Sequence, residues 1–240
     1  MKAIITFHSI DQSGSVLSYP PERFVTLLES LSRSDIPVLS LDKLLLRDVN
    51  KGIAITFDDG MKSVFTEGLP VLQDFNVPAH LYLTTGAVGK SNQWSTQPAC
   101  APNFDMLNWD EIEKLQAGGV YIDSHTNNHP DMRMLSLAEI EDECETADEL
   151  IEKRLGRHPQ YFAYPYGYEN DQVCEFARNR YKATVTTAFR VLNSNEDYAK
   201  LPRLDAYYLQ PEWLIKNLNS TLSKGYLSLR GLIRTVRGKQ

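Results

Sequence analysis

The chain is predicted to fold as an α/β protein, a parallel sheet or barrel covered by helices. Short β-rich runs alternate with helical patterns along its 240 residues, and no linker, low-complexity run or internal repeat interrupts them. That length suits one domain with a large buried core. Repeated strand–helix units favour parallel pairing, with functional groups at the strand ends and in the loops after them.

Residues 3–7 read as the first strand because Ile4, Ile5, Thr6 and Phe7 are β-branched or aromatic. A helical pattern at 21–32, a strand-like run at 36–39 and a helical pattern at 41–47 lead to the apolar run 52–57, which ends against Asp58-Asp59-Gly60. Next come 61–75 as helix, 80–84 as strand, 108–117 as helix and 120–123 as strand. The helix at 137–155 is the clearest: Ile140, Cys144, Ala147, Ile151 and Leu155 form one apolar stripe among acidic residues, and Gly156 is a C-cap. A strand-like run at 161–164, a helix at 170–180 and a strand-like run at 183–187 complete the alternation.

A net charge of -6 and a pI near 5.4 argue against a general nucleic-acid binder. Cys100, Cys144 and Cys174 are odd in number and widely spaced, as expected of free thiols in a reducing compartment. His8 comes too early for a secretory signal, and no run approaches the ~20 apolar residues of a membrane span, so a cytoplasmic protein is expected. After Glu212 there is no acidic residue, while Lys216, Lys224, Arg230, Arg234, Arg237 and Lys239 accumulate. Tyr226, Leu229, Ile233 and Val236 share a helical face opposite much of that charge. Residues 211–240 are therefore expected to form C-terminal helices with a basic tail, packed on a barrel of residues 1–210 or resting on the inner face of an anionic membrane.

Two segments combine chemically: Thr56-Phe57-Asp58-Asp59-Gly60, and Ser124-His125-Thr126-Asn127-Asn128-His129-Pro130. One carboxylate and two imidazoles can hold a divalent ion through three protein ligands and leave positions open, while the spare carboxylate acts as a base. The four-residue step between the histidines is expected to place them on one face of a helical turn.

With Tyr164-Pro165-Tyr166-Gly167, these segments resemble, in order, the three motifs of the polysaccharide deacetylases (NodB homology domain, carbohydrate esterase family 4). The resemblance implies an irregular (β/α) barrel of about seven strands and metal-assisted hydrolysis of an N-acetyl or O-acetyl group on a sugar. It makes Asp59, His125 and His129 the metal ligands and Asp58 the base. Pro165 and Gly167 set a tight loop, and the Tyr166 backbone N–H is the donor to the oxyanion. Zinc suits the mixed ligands, with cobalt or nickel also competent. The metal's role would be to polarise the carbonyl and acidify a water.

Two departures from the family pattern stand out. The third motif usually begins with an arginine that buttresses the base, but Ala163 is there, and Arg203 is the candidate replacement. The family's late histidine, which protonates the leaving amine, is missing, since none follows His158. His8, after the first strand, resembles the early histidine of a permuted subgroup that deacetylates exopolysaccharide and biofilm glucosamine polymers. Trp94, in the irregular run 86–106, and Trp109 are candidate sugar-stacking residues, beside Tyr164, Pro165, Tyr166 and Gly167; Tyr168 is another. His80 is expected in the core and His158 in solvent. The implied partner is an acetylated carbohydrate or lipid-linked glycan. A deformylase of an amino sugar would keep every motif residue, whereas a non-catalytic carbohydrate-binding barrel would be expected to lose one.

Overall fold

In the computed structural model, which describes residues 1–97 and 101–236, the chain opens with β1 (Lys2–Phe7), whose apolar residues sit in the middle of the sheet. A small parallel pair, β2 (Ser9–Ile10) and β3 (Ser18–Tyr19), brackets a loop over the end of β1. After α1 (Pro21–Ser32) and α2 (Leu41–Leu44) come β4 (Gly52–Phe57), α3 (Leu69–Asp74), β5 (Ala79–Leu83), α4 (Trp109–Ala117), β6 (Val120–Ser124), α5 (Leu137–Leu155), β7 (Tyr161–Ala163), α6 (Asp171–Arg180) and β8 (Ala183–Val185). The short β9 (Leu204–Asp205), α7 (Glu212–Ile215) and α8 (Thr221–Val236) end the chain. Pro98, Cys100, Arg237 and Lys239 lie outside the described residues.

All seven strands of the main sheet are parallel, in the order β8-β7-β6-β5-β4-β1-β9. Residues 201–205 join its two edges. Leu201 bridges Val185 and the Arg203 N–H donates to Ala188 O, while Leu204 and Asp205 pair with Ile5 and Thr6. The sheet thereby curls into the expected irregular barrel.

Side chains alternate across a strand, so each strand feeds two cores. Ile4, Ala54, Tyr82, Ala163 and Val185 pack together, with Leu41 and Leu44 of α2 joining them. Ile5, Phe7, Ile55, Phe57, Leu81 and Ile122 face the other way, against Phe24, Leu27, Leu72, Leu115 and Leu214 of the surrounding helices. Asn108 and Ser136 cap α4 and α5 with reciprocal capping boxes, and Gly156 ends α5 at φ 68°.

Three local expectations need correction. Residues 36–39 form no strand: only Val38 bridges Ile53, beside the start of β4 that β5 does not reach. The helix expected at 61–75 opens as a π-turn over Val64–Gly68 before α3, consistent with Pro70 having no N–H to extend an α-helical ladder back to that turn. In α8 the expected stripe does not act as one face. Leu227 and part of Tyr226 turn inward with Arg230 and Arg234, whereas Leu222, Leu229, Leu232 and Val236 are exposed.

His80 is buried in the protein. Its Nε2 accepts the Leu41 N–H at 3.0 Å and its Nδ1 pairs with Asp123 at 2.7 Å, while Asp123 also accepts from Gln160 and Tyr161. His158 is exposed beside Glu152. Buried Cys144 and Cys174 are free thiols.

Candidate active site

The alternation that points Ala54 and Thr56 to one side of β4 brings Asp58 to the same side one step beyond the strand. By the same period, His8 follows Ile4 and Thr6, and His125 follows Asp123. These residues line a cleft of about 320 Å³ with Asp59, His129, Trp94, Tyr164, Tyr166 and Gly167.

Asp59, His125 and His129 are buried, with one ligand atom from each lying within 4.8 Å of the others. Both Nε2 atoms face Asp59 Oδ1, at 3.4 Å from His125 and 3.5 Å from His129. His125 Nδ1 lies 2.7 Å from Ala163 O, which can only accept, so Nδ1 carries the proton and Nε2 is left for a metal. Buried donors with free lone pairs fit a divalent ion.

The histidines are not on a helical turn, contrary to expectation. Thr126 and His129 adopt left-handed φ of 64° and 56°, and the His129 N–H donates to Thr126 Oγ1 at 3.0 Å. Glu143 of α5 receives the Asn127 and Asn128 N–H groups, holding the loop non-helical. Asp59 and Tyr166 are also left-handed, at 71° and 60°. Among the described residues, four of the five non-glycine residues with positive φ therefore belong to the motif loops, a concentration typical of constrained functional geometry.

Asp58 is held by Arg203, whose Nη1 and Nη2 donate to its two oxygens at 2.6 and 2.7 Å. Thr186 O and Thr56 Oγ1 hold the guanidinium in turn. Burial would raise the Asp58 carboxyl, but Arg203, with His8 and His125 beside it, holds it below the ordinary range. His8 Nε2 is 3.9 Å from Asp58 Oδ2. Burial likewise opposes the charge of Asp59, but the neighbouring histidines hold its carboxyl far below the usual range. His129 is pushed down to about 3 by burial and the His125 charge, which favours the neutral, ligating form. Burial would lower His125 too, but its hydrogen bond with Asp59 and the aspartate charges raise it.

Trp94 and Thr96 fold over the histidine loop. The Trp94 ring stacks on His129 at 4.3 Å, and the Tyr166 ring meets the same imidazole in a T-shaped contact at 4.5 Å. Trp94 Nε1 donates to the Tyr166 hydroxyl, which donates to Thr96 Oγ1, which donates to His129 O. Gly167, at φ 71°, lets the turn approach Thr187 closely, because a Cβ there would stand 2.6 Å from the Thr187 backbone nitrogen. Pro165 is buried under the turn, and Tyr164 is buried with its hydroxyl donating to Ala199 O.

Trp109 is not brought to the cleft. The capping box at Asn108 starts α4 there, and the Trp109 ring packs beneath Arg154. Tyr168 lies at the rim under Arg133. Gln97 and Pro102 of the irregular run 86–106 line the cleft, and Val16, Leu17 and Thr187 do so without having been foreseen. Val16 and Leu17 follow Gly14 as an apolar pair in a serine-rich turn, the one local signal available.

The family model for polysaccharide deacetylases matches residues 47–184, more than half of the chain. The chain belongs to the polysaccharide deacetylase family. Its members are hydrolases, and the matched span contains all three motifs but neither His8 nor Arg203. A poly-beta-1,6-N-acetyl-D-glucosamine N-deacetylase of Staphylococcus aureus is 24% identical over 217 residues, covering 83% of this chain and 71% of the relative. A putative polysaccharide deacetylase of Bacillus subtilis is 22% identical, covering 77% of this chain and 63% of the relative. Among solved structures, the Streptococcus pyogenes deacetylase PplD superposes with a TM-score of 0.72 at 22% identity, over 85% of this chain and 91% of that one. IcaB from Ammonifex degensii gives 0.72 at 20%, over 89% and 96%. This polysaccharide deacetylase thus shares their fold along most of its length.

Proposed function

We propose that this deacetylase removes N-acetyl groups from a β-linked N-acetylglucosamine polymer in a metal-dependent reaction. The observation that carries the reading is the pairing of a buried Asp59-His125-His129 cluster with a second carboxylate, Asp58, that Arg203 holds ionised. Asp59, His125 and His129 would hold the ion, with zinc, cobalt and nickel all suited to one oxygen and two nitrogen donors. When bound, such an ion supplies Lewis acidity toward an acetyl carbonyl and makes water more acidic.

Asp58 takes the proton from the attacking water, and its ion pair with Arg203 keeps it ready as a base. His8, whose Nε2 stands 3.9 Å from Asp58 Oδ2, delivers a proton to the departing amine, the role of the early histidine in the permuted subgroup. The Tyr166 N–H is the donor toward the developing oxyanion. The relatives' substrate names support a glucosamine polymer. A lipid-linked glycan is the other substrate this reading admits, with Leu222, Leu229, Leu232 and Val236 of α8 as its membrane contact.

The deciding experiment measures acetate released from β-1,6-linked N-acetylglucosamine oligomers by metal-loaded and chelator-treated protein, with formylated and O-acetylated sugars alongside. Metal-dependent acetate release from the amide is expected. Formate release alone would make the enzyme a deformylase, and release from the ester alone an O-deacetylase.

A further inference from the structure

Beside the catalytic cleft, a groove of about 460 Å³ runs between the loop after β2 and the inner face of α8. Tyr207, Tyr208 and Tyr226 line it, together with Arg230, Gly14 and Ser18. Half-buried Arg230 stands over two of these rings, 5.1 Å from the Tyr208 centroid and 5.6 Å from that of Tyr226, and donates through Nε to the Tyr226 hydroxyl at 3.2 Å. Among the described residues Arg230 has no carboxylate partner, and no lining residue of the groove is acidic. A guanidinium fixed by aromatic faces therefore presents its other N–H groups to the groove.

The groove and the cleft flank the same loop between β2 and β3. Val16 and Leu17 line the catalytic side of the loop and Ser18 the groove side, so ~7 Å of chain at most separates them. Arg234 ties the same two places together, pairing with Asp205 and reaching Thr187 O at the cleft wall.

We infer that this groove is a second carbohydrate subsite, which takes neutral N-acetylated sugar units of the polymer next to the unit at the Asp59-His125-His129 centre. Tyrosine rings suit the apolar faces of pyranoses, and Arg230 suits hydroxyl and acetyl oxygens. A deacetylated unit carries an ammonium, which Arg230 repels, so the groove selects chain that has not yet been processed. The inference rests on the proposed function for the identity of the polymer.

Binding is measured by calorimetry on the metal-loaded Asp58→Asn protein, with β-1,6-linked N-acetylglucosamine dimer and hexamer as probes. The hexamer is expected to bind about tenfold more tightly than the dimer, and Tyr207→Ala or Arg230→Gln, added separately, to cut that gain about fivefold. A fully deacetylated hexamer is expected to show no gain.

Equal affinity for dimer and hexamer, no binding of either, or an undiminished gain in both variants overturns the subsite. So does competition by inorganic phosphate with no gain for the hexamer, which would make the groove an anion site. Acetate release by the unsubstituted enzyme is scored separately. Its absence alongside a length-dependent gain removes the catalytic reading and leaves the subsite standing.

Discussion

Arg203 and Asp58, 145 residues apart in sequence, form a bidentate ion pair inside the barrel, with N–O distances of 2.6 and 2.7 Å. The pair depends on the closing segment 201–205, which carries Arg203 between the two sheet edges. The charge state of Asp58 and the closure of the fold are therefore joined in one segment.

Replacing Arg203 with methionine leaves the Asp58 charge buried and unpaired, so a loss of about 3–5 kcal/mol in urea unfolding at pH 7 is expected. The pH dependence has a definite sign. The folded Asp58 carboxyl sits below its unfolded value, so the stability it contributes is present above ~3.9 and is lost as pH falls through the lower folded value. In Arg203→Met that acid-side loss should shrink. An unchanged stability–pH curve would show that Asp58 is not held down by this pair.

The division of labour between the adjacent aspartates is tested by metal retention. Asp59→Ala, His125→Ala and His129→Ala should lose the ion on gel filtration, measured by elemental analysis. Asp58→Asn should keep it while kcat falls about 10²- to 10⁴-fold, because the base is removed and the shape retained. Metal loss in Asp58→Asn equal to that of the ligand variants would reverse the assignment.

His8 is separated from the other site residues by sequence but lies 3.9 Å from Asp58. An amine leaves poorly without a proton, whereas an alkoxide leaves more readily. His8→Ala should therefore lower kcat about 10²-fold or more on N-acetyl substrates, and much less on O-acetyl esters, with metal content unchanged. Equal losses on amide and ester would argue against a leaving-group acid.

What could be read in the sequence was what local rules control. The run 52–57 and the stripe from Ile140 to Leu155 carry their own periodicity, and both elements occur at those bounds. The motif residues could be found because their spacing within short loops is itself chemical information. The conformation of the histidine loop could not, because Glu143, on a separate helix, holds the Asn127 and Asn128 N–H groups. Trp109 had the composition of a sugar platform, but the capping box beside it decides which way it faces. The role of residues 201–205 in closing the barrel was equally hidden, since two strand residues and one bridge leave almost no pattern.

His129 poses the last question, because among the described residues its buried Nδ1 has no protein hydrogen-bond partner, unlike His125, whose Nδ1 is bonded to Ala163 O. Its ring is instead in contact with Trp94, stacked at 4.3 Å, and with Tyr166, T-shaped at 4.5 Å. Packing thus does here what a hydrogen bond does for most metal-binding histidines, and its removal should loosen the ligand. Trp94→Ala is expected to weaken metal affinity about 10- to 100-fold, the usual effect of losing a group that orients a ligand. Trp94→Phe keeps a stacking face but not the indole N–H to Tyr166, and should recover most of that loss. Competition with a chromophoric chelator reads both. Undiminished affinity in Trp94→Ala would mean that the loop serves substrate alone.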